Sequence, residues 1–246
     1  MPYRQSVNMR ILGYIATILV YVWNGLYVNT QIALANKNDP SLRTFIDVQH
    51  KYFTFWNCYA LVVHAILGLT CDLLALWNLK DFTYQLPKYL KIARDTLFAA
   101  VVFPSSFVTA SVFWTIFLYD RDLIMPEALD QVLPPVSNHI VHTLLVPFVL
   151  WEVKYQPRSD PRTHWPYIAT VFAYLITYAC VLTHTFVTRG TWMYPILDLI
   201  YSTMTPLFPI FLVLFAMLQT TFYFLQWALS SLVWRRRSGV SKRKLK

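Results

Sequence analysis

Charge is scarce in this chain: only 13% of its 246 residues are Asp, Glu, Lys or Arg. An ordinary soluble domain carries about 25%, so that class is excluded at once. Glycine is scarcer still, with five in the whole chain. They supply no phosphate-cradling loop, and they argue against the Gly-interrupted helices of many transporters. The three cysteines, Cys58, Cys71 and Cys180, all lie in apolar runs. They read as small core residues, not as a disulfide framework or a metal site. The chain has no Asn-x-Ser/Thr acceptor and no internal repeat. Its chemistry must therefore be built among helices.

What is abundant is apolar and aromatic: 57% hydrophobic residues, with nine Trp and sixteen Tyr. Trp and Tyr in such numbers suit two membrane interfaces. Six apolar stretches approach the ~20 residues that a spanning helix needs. They are Ile11–Val28, Tyr52–Trp77, Leu97–Tyr119, Ser137–Val153, Tyr167–Val187, and a sixth within Thr203–Trp234, about 205–234. Ala33-Leu34-Ala35 resembles a signal-peptide cleavage site. The preceding apolar run is longer than a typical signal core and holds Trp23 and Asn24, so it reads as an uncleaved anchor. The predicted fold is all-α: one polytopic transmembrane domain, a six-helix bundle followed by a basic tail over 235–246.

The net charge of +9 is best read by its placement. Arg4, Arg10, the 78–96 loop, the 154–166 loop and the tail carry sixteen Lys and Arg; the alternate segments carry five. The excess of basic residues on cytosolic segments then puts both termini in the cytosol. The partners this charge implies are membrane lipids, not nucleic acid. The acidic segment Leu118–Val136 falls on the opposite side.

An ionisable residue at membrane depth costs about 2.5–3.5 kcal/mol on insertion scales. His64, Asp72, Asn138, His139, His142, Glu152 and His184 are the polar residues of the spans to explain. In the second span Thr54, Asn57, His64, Gly68 and Asp72 share one face roughly 100° wide, so that face turns to the bundle. Asp72 is expected to reach water or a Lys, and Glu152 to be structural. His64 is expected to lack a partner. In the fourth span Asn138 and His142 are four residues apart and can meet; His139 lies about 60° around the helix from His142. Thr54, His142 and His184 fall at similar depth below one surface. A hydroxyl and imidazoles at one depth can make a nucleophile with its general base. The plain alternative for Thr54 is a hydrogen bond back to its own helix.

Several pieces of the sequence match a family in order: Lys51-Tyr52-Phe53-Thr54-Phe55, Phe117-Leu118-Tyr119-Asp120-Arg121, Asn138-His139-Ile140-Val141-His142-Thr143, Pro147-Phe148-Val149-Leu150-Trp151-Glu152 and Trp192-Met193-Tyr194-Pro195. The chain resembles the androgen-induced and androgen-dependent family of small multi-pass membrane hydrolases. The resemblance implies a threonine hydrolase that cleaves fatty acid esters of hydroxy fatty acids without a cofactor. By motif the nucleophile falls on Thr54 and the catalytic histidine on His142. Asn138, His139, His184, Lys51 and Asn57 are supporting candidates. The sequence departs from the family around Asn29–Asp39 and in the spacing from His184 to Trp192.

Two rival readings follow from the same residues. One is a non-catalytic lipid-binding regulator or transporter; the other is a six-helix haem reductase with paired histidines. Lys242 and Lys244 also resemble a di-lysine retrieval signal read by coat proteins. That points to the endoplasmic reticulum, with the plasma membrane as the alternative.

Overall fold

The computed structural model describes residues 3–35, 40–78, 85–203 and 208–243, with no side-chain description at 3, 4, 40, 41, 44 and 235–243. The expected start of the sixth span at 205–207, the tail's basic side chains and the di-lysine motif lie outside what is described. Among the described residues the architecture is helical throughout. The helices are α1 (Tyr3–Leu34), α2 (Pro40–Val48), α3 (Phe53–Trp77), α4 (Lys88–Thr96), α5 (Phe103–Tyr119), α6 (Pro135–His142), α7 (Leu145–Tyr155), α8 (Trp165–Arg189), α9 (Pro195–Thr203) and α10 (Phe208–Arg243).

Six helical units are long and apolar enough to cross a membrane: α1, α3, α4 with α5, α6 with α7, α8, and α10. The chain is thus a multi-pass membrane protein. The short α2 and α9 lie at the end of the bundle where α3 and α10 begin.

Two of the spans are interrupted, and a proline explains each interruption. Pro104 has no N–H and its ring crowds the preceding turn. The helix answers by widening over Leu97–Val102, where the Phe103 amide reaches back to the Phe98 carbonyl. In that wide-turn register a normal residue at 104 would donate to the Ala99 carbonyl. The Gln226 side chain supplies the missing donor at 2.7 Å and so ties α10 to this turn. Pro147 does the same to the fourth span. It removes the i+4 donor of the Thr143 carbonyl, which accepts from the Val146 amide at 3.2 Å instead, and the helix breaks between His142 and Leu145. The Leu144 amide turns back to the His139 carbonyl at 3.0 Å.

The polar face predicted for the second span is the buried face of α3: Asn57, His64, Gly68 and Asp72 are buried, while Tyr59, Val63 and Ile66 are exposed. Gly68 makes room for the Tyr14 side chain of α1, since a Cβ there would run into that ring. Asp72 meets neither water nor Lys. It accepts two hydrogen bonds from Arg10 of α1, at 2.7 and 2.6 Å. Glu152 accepts from Tyr14 at 3.0 Å and from Arg158 at 2.7 Å. His64 approaches Glu152 at 3.6 Å, and neither of its ring nitrogens has a hydrogen-bond partner among the described residues. These groups gather at the end of the bundle opposite Thr54.

Candidate active site

Thr54 is the second residue of α3, and the start of that helix is built by distant residues. Tyr52 is extended and offers no side-chain cap. The Phe53 amide instead donates to the hydroxyl oxygens of Tyr178 (3.1 Å) and Tyr194 (2.9 Å), from α8 and from the segment before α9. His142 is the last residue of α6, immediately before the break that Pro147 imposes. The two meet: Thr54 Oγ1 lies 3.2 Å from His142 Nε2.

The tautomer of His142 follows from its other nitrogen. Nδ1 lies 3.1 Å from the Asn138 carbonyl oxygen and 2.6 Å from Asn138 Oδ1. A backbone carbonyl only accepts, so Nδ1 carries the proton and donates. Nε2 therefore presents a lone pair to the Thr54 hydroxyl, which donates to it. Phe113 stacks flat on the imidazole, with ring centroids 3.4 Å apart and planes 8° apart. The ring is fixed in position and plane, and His142 and Asn138 are both buried.

The pair opens onto a cavity of about 270 Å³. Its wall is otherwise mostly apolar, drawn from α3, α5, α8, α9, α10 and the turns between α5 and α6. Three lining residues are exposed on the outer surface of the bundle: Phe172 and Ile176 on α8, and Leu212 on α10. The cavity thus opens sideways between α8 and α10, at the depth of the spans.

The family model described as FAR-17a/AIG1-like protein matches residues 11–229. The chain belongs to this family. It is 38% identical over 182 residues to the androgen-dependent TFPI-regulating protein of Homo sapiens, which covers 72% of this chain and 75% of that one. The protein of the same name from Mesocricetus auratus is 34% identical over 192 residues, 76% of this chain and 78% of the relative. The androgen-induced gene 1 protein of Homo sapiens is 32% identical over 160 residues, 60% and 63% of the two chains. No solved structure matches this member of the FAR-17a/AIG1-like family.

The other supporting candidates do not join the cavity wall. His184 has the right depth and the wrong phase. The α8 residues that line the cavity fall on one face, and His184 is turned roughly 160° from its centre; it is exposed. His139 also faces outward, stacked on Trp114 with its Nδ1 3.0 Å from Thr143 Oγ1. Lys51 is half-buried in the turn before α3. Asn57 sits one turn beyond Thr54, buried behind the wall, where it donates to Ser106 (3.4 Å) and Thr109 (3.5 Å) of α5.

Four residues of this site were not named as candidates from the sequence. Phe113 carries no signal that distinguishes it from the other aromatics of its span. Tyr194 stood in the Trp-Met-Tyr-Pro piece, and Pro147 in the Pro-Phe piece, without a role. Tyr178 follows Tyr174 by one helical turn, a pattern equally suited to packing. Among the described residues no group of three or more His, Cys, Asp or Glu is arranged to hold a metal ion.

Proposed function

We propose that this protein is a membrane-embedded ester hydrolase that uses Thr54 as nucleophile and His142 as general base. One observation carries the reading: His142 has its proton committed to Asn138 at Nδ1 and its lone pair aimed at Thr54 Oγ1. This is the arrangement a weak hydroxyl nucleophile requires, with a base in contact and a third group that orients the base.

The substrate is a lipid ester, and the FAR-17a/AIG1-like membership favours a fatty acid ester of a hydroxy fatty acid. The mostly apolar wall suits alkyl chains, and the opening between α8 and α10 admits a lipid directly from the bilayer. Thr54 Oγ1 attacks the ester carbonyl while Nε2 takes its proton. The tetrahedral intermediate collapses, Nε2–H protonates the leaving alkoxide, and the hydroxy fatty acid departs. Water, deprotonated by the same nitrogen, then attacks the acyl-Thr54 ester and releases the second acid.

Thr54→Ala and His142→Ala test this on a long-chain ester. Each is expected to lower kcat by about 10²-fold or more, the usual worth of a nucleophile or base, with thermal unfolding in detergent unchanged. A fluorophosphonate probe is expected to label the wild type and not Thr54→Ala. Full hydrolysis by Thr54→Ala would end the threonine mechanism and leave the lipid-binding alternative. Placement of both termini in the cytosol, and retrieval to the endoplasmic reticulum through Lys242 and Lys244, belong to the same reading. A Lys242→Ser/Lys244→Ser variant that stays in that compartment would remove the retrieval signal from it.

A further inference from the structure

The polar side chains of the cavity wall are Tyr52, Thr54, Thr109, His142, Tyr178 and Tyr194, and the protons they carry can be counted. The Thr54 hydroxyl donates to His142. The Tyr52 hydroxyl donates to the Met193 carbonyl at 2.9 Å. Tyr178 and Tyr194 have their hydroxyl oxygens 3.0 Å apart, so one donates to the other. Both oxygens also receive the Phe53 amide. Two phenols bring two protons; one lies between the oxygens, and the other has no acceptor among the described residues. A buried hydroxyl donor without an acceptor is costly in an apolar surround. Here it lies in the wall of a cavity, on the pair that grips the amide next to the nucleophile.

We propose that the Tyr178–Tyr194 pair is the electrophilic element of the site, donating its spare phenolic proton to the ester carbonyl oxygen and to the oxyanion that forms on it. The inference rests on the Thr54–His142 reading. Charge develops on that oxygen as Thr54 attacks, and a positioned donor lowers the barrier more than it aids binding. The Thr54 and Phe55 amides in the first turn of α3 have no partner within the helix and add positive potential on the same side. Burial pushes the Tyr194 phenol up to about 12, so it remains a donor at neutral pH. The pair therefore does two things: its oxygens cap α3 and so place Thr54, and its remaining proton polarises the carbonyl that Thr54 attacks.

The count makes a specific prediction about single and double variants. In Tyr194→Phe the Tyr178 oxygen still receives the Phe53 amide, and its own proton is released from the pair; Tyr178→Phe is the mirror case. Each single variant thus keeps one donor, slightly displaced, and should lose about 10-fold or less in kcat. Tyr178→Phe/Tyr194→Phe keeps none and should lose about 10²–10³-fold in kcat, the range for an oxyanion donor, with KM within about threefold. Thr109 is the other hydroxyl of the wall whose proton has no acceptor among the described residues. A larger kcat loss in Thr109→Val than in the double variant would overturn the assignment.

The measurement is steady-state hydrolysis of a long-chain nitrophenyl ester by the full chain in detergent micelles, with Thr54→Ala assayed beside it. A double variant within threefold of wild-type kcat, next to an inactive Thr54→Ala, overturns this inference alone. An active Thr54→Ala overturns the reading beneath it. Should the double variant not fold, 3,5-difluorotyrosine at position 194 keeps the shape and makes the phenol more acidic. Once that phenol ionises it accepts from Tyr178 and the spare proton is gone, so the alkaline fall in kcat should begin at lower pH than in the wild type. A profile that matches the wild type would overturn the proposal.

Discussion

His142 can serve as a base only while its Nδ1–H is held, and Asn138 holds it twice. The side-chain oxygen at 2.6 Å can be removed; the backbone carbonyl at 3.1 Å cannot. Asn138→Ala should therefore preserve the tautomer and lose the shorter bond. A neutral hydrogen bond contributes about 1 kcal/mol, so kcat on a lipid ester should fall by about 5–10-fold with KM little changed. A loss as large as that of His142→Ala would mean that the side chain alone sets the tautomer. The Asn138–His142 contact was legible in the sequence because spacing of four residues decides it on any helix. His139 and His184 were legible in depth and not in direction. Depth follows from counting residues inward from a surface, while direction depends on which neighbours pack where. The α8 phase that turns His184 outward becomes clear only once Tyr178, Leu175 and Ala179 are seen to face the cavity.

The break between α6 and α7 is what delivers His142 to Thr54. A straight fourth span would carry its last turn in another direction. Pro147→Ala offers the Thr143 carbonyl its i+4 donor in place of the Val146 amide and removes the clash, so local helix propensity favours closing the break. The expected result is a folded protein with kcat reduced by about 10-fold or more, since a misplacement of about 1 Å can cost 10²-fold. Unimpaired kcat together with a higher unfolding temperature would show that the kink does not position the base. The opening between α8 and α10 makes a separate prediction. Ile176→Trp fills the mouth without touching Thr54 or His142, so KM for long-chain esters should rise several-fold and kcat for a short soluble ester should hold. Equal effects on both esters would place the entrance elsewhere. The six spans themselves were readable from runs of apolar residues, because the bilayer sets their length. The two proline breaks were not, because a proline in a membrane helix is absorbed in several ways and only the packed neighbours select one.

The bundle has two polar regions at opposite ends, and they do different things. At the Thr54 end the buried groups are neutral and grouped around a cavity, and the ion pairs Arg121–Asp130 and Arg189–Asp47 lie nearer the surface. At the other end the Arg10, Arg94 and Arg158 guanidinium groups are set against Asp72, Asp95 and Glu152, with Arg10–Asp72 at 2.6 Å and Arg158–Glu152 at 2.7 Å. The cluster is balanced in charge, and it joins α1, α3, α4, α7 and the segment after α7. The sequence showed Asp72 and Glu152 at this end and could not show their partners, because those come from positions 62 and 6 residues away. A buried ion pair stabilises little relative to apolar residues of the same shape, because desolvation offsets most of the attraction. Removing one partner is another matter, since it strands a charge inside. Asp72→Asn leaves the Arg10 guanidinium, only 5% exposed, without its counter-ion. A loss of about 3–5 kcal/mol is expected, read as a large drop in unfolding temperature in detergent. Arg10→Met/Asp72→Leu removes both charges and should recover most of that loss. Both variants leave the Thr54 end untouched, so whatever fraction remains folded should hydrolyse esters at the wild-type kcat. A folded, stable Asp72→Asn would show that the cluster is solvated and does not join α1 to α3. A folded double variant with low kcat would show that the two ends of the bundle are coupled.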